Sequence, residues 1–453
     1  MNQNHSPDHS ESRGRLLRIL GVGFGLAVSL GNTIAAGIVR TPGEIATGIQ
    51  NPWLFLGVWV AGGLYALLGA NCVAELGTAL PRAGAQYVFS HRALGPYPGF
   101  IVGWSDWLST SGTTAAVAFV IGEYSGALVP VLAGKTVAVA LFVTVFFALL
   151  QWHGLRWGSN AQNVTSLAKA LAFVALVVAC FLLGGRVHVE AGPATAGPAN
   201  ATAFFFAVVL ALQSVMYTYD GWAAPVYFSE EIQETARNIP RALFGGVLTI
   251  LGIYLLWNLA LLYILPLPRI AGDIFAMGTA ANLIFGPNGD LIVRALMIVS
   301  MLAGINAYHL MATRVVFAMS RDRLFWKVAE RVNAGGTPTV SLFFTAGIAV
   351  LFIVLSGTFK KLIDALSFFF VANYTMSFIS LFVLRRREPD LPRPFRAWGH
   401  PWTTGLVLLG SVVYLVGTIV ADLRSGTRAS IYALAILVAS YPAYRLLRIT
   451  VKE

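Results

Sequence analysis

The chain has 453 residues, 57% of them hydrophobic and only 11% charged, with 31 Lys and Arg against 20 Asp and Glu for a formal net charge of +11. Apolar runs recur at membrane-spanning length, which excludes a soluble globular protein and defines a polytopic membrane protein of all-α class. The basic residues sit at the ends of those runs rather than in one patch, so they read as topology signals and argue against a nucleic acid partner.

The polar segment 1–12 contains His and Ser, and no small-residue processing site follows the first apolar run. Residues 1–16 are therefore expected to form a disordered cytoplasmic tail. Apolar periodicity then predicts spans over 17–39, 52–79, 97–129, 135–151, 160–184, 202–229, 241–265, 291–319, 338–356, 361–384, 402–421 and 429–446. With the N-terminus in the cytoplasm, roughly 20 Lys and Arg fall on the inner side and roughly 9 outside, leaving Lys169 and Arg314 within spans. The even count returns the C-terminus to the cytoplasm, and the basic cluster RRREPDLPRPFR at 385–396 faces inward.

Two of these spans are interrupted. GNTIAAG at 31–37 breaks the first and TYDGW at 218–222 the sixth, with polar and small residues at membrane depth. An interruption in lipid strands N–H and C=O groups, each costing several kcal/mol, unless the unwound segment lines a cavity. Matched interruptions in two halves of a chain point to a transport site. The spans divide as five, five and two, and an odd number per half gives the halves opposite orientation. The expected organisation is a first repeat over 17–200, an inverted second repeat over 201–396, and two further helices with a short cytoplasmic C-terminus over 397–453. Close packing by small residues at 35–37 is the alternative reading of the first break.

Between the breaks, Cys72 and Cys180 fall inside apolar runs and read as packing residues, not as a disulfide or metal pair. Lys169 lies mid-span in SLAKALAF, where an ammonium group requires a partner or a polar cavity; placement nearer the inner surface is the alternative. Asp220 sits inside the sixth-span break. There it either carries a proton or pairs a substrate ammonium, or it caps a second half-helix. Glu75 and Glu123 lie near span ends, where an acid reaches water. Arg40 is expected to snorkel outward, and His309 to be a hydrogen-bonded interior residue. Glu230, Glu231, Arg237 and Arg241 read either as a charge network at an inner gate or as a solvated face. No HExxH, GxSxG or His/Asp cluster appears, so neither an enzyme nor a metal or cofactor site is expected. A channel or receptor would more naturally lack matched broken helices.

Six segments in order carry a resemblance. GNTIAAGIVRTP at 31–42, AELGTALPRAGAQYVF at 74–89, YFSEEIQETARNIPRAL at 227–243, FAMSRDRLF at 317–325, GTP at 336–338 and REPDLPRPFR at 387–396 resemble motifs of the amino acid–polyamine–organocation superfamily, and within it the bacterial relatives of L-type amino acid permeases. The resemblance implies the leucine-transporter-type 5+5 inverted repeat and an alternating-access carrier holding an amino acid head in the two breaks. Free N–H groups and the dipole end near Ala36 and Gly37 suit a carboxylate, and carbonyls near Tyr217, Thr218 and Tyr219 suit an α-ammonium. The chain departs from the family's Gly-Ser-Gly with Ala35, Ala36 and Gly37, so carboxylate binding is expected to rely on backbone N–H groups and Thr33. Lys169 is expected beside the first break, in the place of the cation of sodium-coupled relatives, bonded to carbonyls near Ala35 and to a hydroxyl of the eighth span, Ser300. Tyr217 aligns with an aromatic gate, and Trp222 either lines the pocket or packs. The implied function is sodium-independent amino acid transport in the cell membrane by proton symport or exchange, of neutral L-amino acids or alternatively of cationic amino acids or amines. The expected partners are the substrate, the bilayer and protons, for a monomer or weak homodimer.

Overall fold

The computed structural model describes residues 16–185, 200–355, 359–425 and 429–450; the expected tail lies outside them up to residue 15. The first broken span is α1 (Val22–Thr33) followed by α2 (Gly37–Gly48). Then come α3 (Pro52–Ala79), α4 (Gln86–Leu94), α5 (Pro96–Leu128), α6 (Thr136–Trp152) and α7 (Leu155–Gly184). The second group opens with α8 (Ala201–Tyr219) and runs through α9 (Thr235–Ile264), α10 (Leu267–Ile270), α11 (Ala276–Phe285), α12 (Gly289–Arg321), α13 (Thr339–Leu355) and α14 (Phe359–Arg387). Two more helices follow, α15 (Trp402–Ser425) and α16 (Ala429–Thr450).

Every expected span is met by a helix. Among the described residues, seven are long and apolar enough to cross a membrane on length and composition, and the α1–α2 pair makes an eighth, bent by 48° at its break. α5 is less apolar because its buried side is rich in hydroxyls, with Ser105, Ser109, Thr110, Ser111, Thr113 and Thr114 all enclosed. Most of those hydroxyls bond back to a carbonyl one turn earlier, which satisfies them without water. Leu64, Leu171, Phe142 and Val438 instead point outward, as lipid-facing side chains do.

Local chemistry sets the helix ends. Asn51 caps α3, its side chain accepting from Trp53 N and Leu54 N with Pro52 in the first turn, and Asn200 caps α8 through Ala203 N. The first span is longer than expected, since α2 continues to Gly48 and the break falls in its middle. Three short helices, α4, α10 and α11, were not expected, because their apolar stretches are too brief to carry a membrane-length signal.

Contacts between loops sort the helix ends onto two faces. On one face the backbone of Leu20 bonds Glu231 and Gln233, Leu155 N–H bonds Gly335 O, and Arg92 grips Glu388. On the other, Gly272 N–H bonds Gly43 O, Arg40 approaches Glu123 at 3.9 Å, and Arg294 lies over the rings of Tyr124 and Phe275. Alternation of the helices between these faces agrees with the parity of the predicted spans.

The first face is braced by ion pairs whose partners lie far apart in sequence. Glu75, expected to reach water, is enclosed: it accepts from Arg385, from Arg393 at 3.1 Å and from the Ala397 backbone at 2.7 Å. The correction has a simple cause, since the cluster at 385–396 folds back over the end of α3 instead of facing solvent. Glu231 is also buried and takes a two-pronged bond from Arg314 at 2.8 and 3.0 Å, while Glu230 binds Arg321 at 2.7 Å. The expected network of these glutamates with Arg237 and Arg241 is thus not formed among the described residues; the glutamates pair with arginines of α12 instead. Arg237 stands 3.9 Å from Glu234 in an exposed pair, and Arg241 is exposed. His309 departs from expectation: its buried ring approaches the Thr144 backbone, yet neither nitrogen reaches hydrogen-bond geometry.

Candidate substrate site

The two breaks meet at the centre of the bundle. After Tyr219 the chain turns through Asp220 and Gly221 into a short 3₁₀ turn at Ala224–Phe228. Gly221 has φ +104°, and a β-carbon there would stand 2.6–2.9 Å from the side chains of Asn32 and Thr33. A glycine is thus required twice over, for its backbone angle and for the approach of one break to the other. The next helical segment after Asp220 is that 3₁₀ turn, which starts from Ala223 without a side-chain cap bond, so Asp220 does not cap a second half-helix. Its carboxylate instead accepts from the Tyr374 hydroxyl at 2.7 Å and from the Gly221 backbone.

Lys169 closes off the end of α1. Its ammonium donates to the carbonyls of Leu30 and Gly31, each at 3.1 Å, and of Ile34 at 2.7 Å. Gly31 O and Ile34 O lie past the last helical bond of α1, while Leu30 O also accepts the Ile34 N–H at 3.1 Å. Ser300 Oγ donates to the same Ile34 oxygen at 2.7 Å. The lysine is therefore fully interior; its shortest bond is to Ile34 O, next to Ala35 as expected, two further carbonyls lie a turn earlier, and Ser300 is joined to it through a shared acceptor. Below it, Gln162 and Ser166 bond Ala27 O. Gly31 leaves the room for this, since a β-carbon there would collide with Gln162.

Tyrosines satisfy the rest of the broken backbone. The Tyr254 hydroxyl lies 2.9 Å from both Thr33 O and Thr218 O, and Tyr308 donates to Asn32 O at 3.1 Å. Tyr217 O accepts from Asp220 N–H at 3.1 Å and keeps a second lone pair. Of the three carbonyls expected to face an ammonium, one is thus engaged by Tyr254 and another only partly free.

A small cavity of about 30 Å³ lies between the breaks. Thr33, Ala35, Ala36 and Gly37 line it from the first span, and Tyr217, Thr218 and Asp220 from the sixth. The first N–H groups of α2, at Gly37 and Ile38, have no intrahelical acceptor, and the buried Thr33 hydroxyl has no partner. Two expected residues lie outside this lining. Tyr219 points away, bonding Trp59 O at 3.1 Å within an aromatic cluster with Trp59 and Tyr254, and Trp222 stacks on Tyr374 with ring centres 4.8 Å apart. Thr113 and Tyr308 line the cavity and were not anticipated from the sequence. Asp106, on α5 in a neighbouring cavity, was missed as well. The available signal was an acid ten residues into a predicted span.

Paired broken helices packed break to break, with their loose backbone ends held by a buried lysine and tyrosines, define a membrane carrier. The chain belongs to the amino acid permease family, whose model matches residues 16–440. It is 27% identical over 430 residues to the serine/threonine exchanger SteT of Bacillus subtilis, covering 92% of this chain and 94% of that protein. It is 26% identical to the mouse b(0,+)-type amino acid transporter 1, over 90% of this chain and 84% of the relative. A similar match, 26% identical over 90% of this chain and 76% of the relative, is found with the mouse Asc-type amino acid transporter 1. These relatives are transporters and exchangers, not enzymes.

Proposed function

We propose that this chain carries neutral L-amino acids across the cytoplasmic membrane by alternating access, without sodium, as a monomer or weak homodimer with both termini in the cytoplasm. The observation that carries this reading is the convergence of the α2 N-terminal N–H groups and the unpaired Thr33 hydroxyl on one cavity, opposite the Tyr217 carbonyl and the Asp220 carboxylate. Donors on one side and acceptors on the other suit the carboxylate and ammonium of a zwitterion. A cavity of about 30 Å³ holds no more than a water or two, so admission of an amino acid needs an outward or inward opening of the surrounding helices. The likeness to an exchanger of serine and threonine favours small neutral side chains. Asp220 favours a second reading, a cationic amino acid or amine, because an interior carboxylate is a ready partner for an additional positive group.

Counterflow tests the reading: liposomes loaded with unlabelled L-threonine are expected to accumulate labelled L-threonine transiently, with L-serine competing better than L-arginine. Preference for L-arginine would favour the second reading, and no exchange of any amino acid would defeat both. Uptake is also expected to be unchanged when choline replaces sodium, because the Lys169 ammonium already binds the carbonyls that end α1. A steep sodium requirement would overturn that assignment. Single cysteines at the exposed positions Asp390 and Lys135 are expected to react with impermeant reagents from opposite sides, the first only from the cytoplasm. Labelling of both from one side would break the twelve-span topology.

A further inference from the structure

Next to the substrate cavity lies a smaller enclosed space of about 10 Å³, lined by two carboxylates, Asp106 of α5 and Asp220. Asp106 is 2% exposed, and no Lys, Arg or His pairs with either acid among the described residues. Two amide groups, each 3% exposed, border the same space with an atom unpartnered: Asn32 Oδ1 and Asn373 Nδ2. The volume admits about one water and excludes a substrate side chain. Such a water would meet both amides and bridge both carboxyls.

Proton counting around Tyr227 is more specific. Its hydroxyl lies 2.7 Å from Gln86 Oε1 and 2.8 and 2.9 Å from the two Asp106 oxygens. One hydroxyl carries one proton and cannot serve Gln86 and Asp106 together. A proton on Asp106 resolves the conflict, since the acid then donates to the Tyr227 oxygen and Tyr227 donates to Gln86. Turning the Gln86 amide would also supply a donor, but it would leave Asp106 an interior carboxylate held by hydroxyls alone, beside Asp220 with no cation to offset either.

We propose that Asp106 is the proton-binding carboxyl of this carrier, coupling amino acid movement to protons through Tyr227 and the bridge to Asp220. The inference rests on the transport reading above and specifies its energy source. A proton entering from the outer side reaches Asp106 by way of Asp220 and is released to the inner side when the turn bearing Tyr227 moves off α5. The other titratable groups on the elements packed around Asp106 are committed elsewhere or neutral. From α12, Tyr308 bonds Asn32 O, Arg314 is paired with Glu231, and His309 is buried with its ring toward the Thr144 backbone. From α14, Tyr374 donates to Asp220. From α4, Tyr87 and His91 turn to Asp322, burial lowering the His91 pKa below its usual value, and Arg92 binds Glu388. On α16, Tyr441 and Tyr444 pack against Tyr97.

The test uses the full chain in liposomes containing a pH-sensitive dye, with L-threonine added outside under a clamped membrane potential. The expected result is internal acidification accompanying uptake, abolished in Asp106→Asn and retained in Asp106→Glu. Threonine counterflow without acidification in the wild type would overturn this proposal and leave the transport reading standing; no counterflow would remove that reading first. A second measurement depends on neither uptake nor a folded Asp106→Asn variant. Infrared difference spectra between acidic and alkaline buffer are expected to contain the carbonyl stretch of a titrating protonated carboxyl, retained in Asp220→Asn. Loss of that band in Asp220→Asn, or its absence from the wild type, would refute the assignment to Asp106.

Discussion

Lys169→Ala is expected to lower uptake by about 10-fold or more while leaving the protein inserted in the membrane. Gly31 O loses its only donor in that variant, whereas Leu30 O keeps the Ile34 N–H and Ile34 O keeps the Ser300 hydroxyl; the buried acceptor left unpaired costs about 1–3 kcal/mol. A penalty of that size shifts the population of the competent conformation by about one to two orders of magnitude. Lys169→Met separates charge from bulk, because methionine fills much of the stem volume without an ammonium group; it is expected to fail nearly as badly. Uptake rates near wild type in either variant, with comparable protein in the liposomes, would assign the lysine a peripheral role.

The second large effect is on stability. Arg314 and Glu231 are 1% and 0% exposed at the side chain, and removing one partner of such a pair leaves an uncompensated interior charge at a cost of about 3–5 kcal/mol. Arg314→Met is therefore expected to melt well below wild type in detergent. The double variant Arg314→Met, Glu231→Met is expected to recover most of the loss, since neither charge remains to be desolvated. Part of the loss should persist, because the guanidinium also donates to Leu310 O at 3.2 Å and lies over the Phe228 ring. Equal stability of the single and double variants would show that packing, rather than the ion pair, dominates this junction.

The fold was legible because its strongest signal, apolar length, is local. Span ends such as those of α6, α8 and α15 fall within a residue or so of expectation on at least one side. The breaks were legible for the same reason: polar and small residues at membrane depth are visible in a single segment. What a residue touches is not local. Glu75 reads alone as an acid at a helix end, and its enclosure follows from arginines near the other end of the chain. Lys169 could be placed at the first break with a carbonyl near Ala35, met by Ile34 O, but its further acceptors Leu30 and Gly31 depend on the rotation of α7 against α1. Tyr219 and Trp222 are one and four residues beyond Thr218, which lines the cavity, yet Tyr219 at the end of α8 and Trp222 past the turn at Gly221 both go into aromatic packing. Asp106 was passed over because it lies between tryptophans in a run rich in hydroxyls, a pattern that masks how deeply the position is enclosed.

The docking of Glu75 bears on the order in which the molecule can be assembled. The peptide at Ala397 and Trp398 lies against α3, with Asn71 bonding Trp398 in both directions at 2.9 Å and Glu75 accepting from Ala397 N–H. Arg385 follows Glu75 by 310 residues. At about 5–20 residues per second of synthesis, this carboxylate would wait roughly 15–60 s for the arginines that neutralise it. During that interval α3 cannot settle into its final burial. The early helices must remain loosely associated, or held by an insertion factor, until the last third of the chain has emerged.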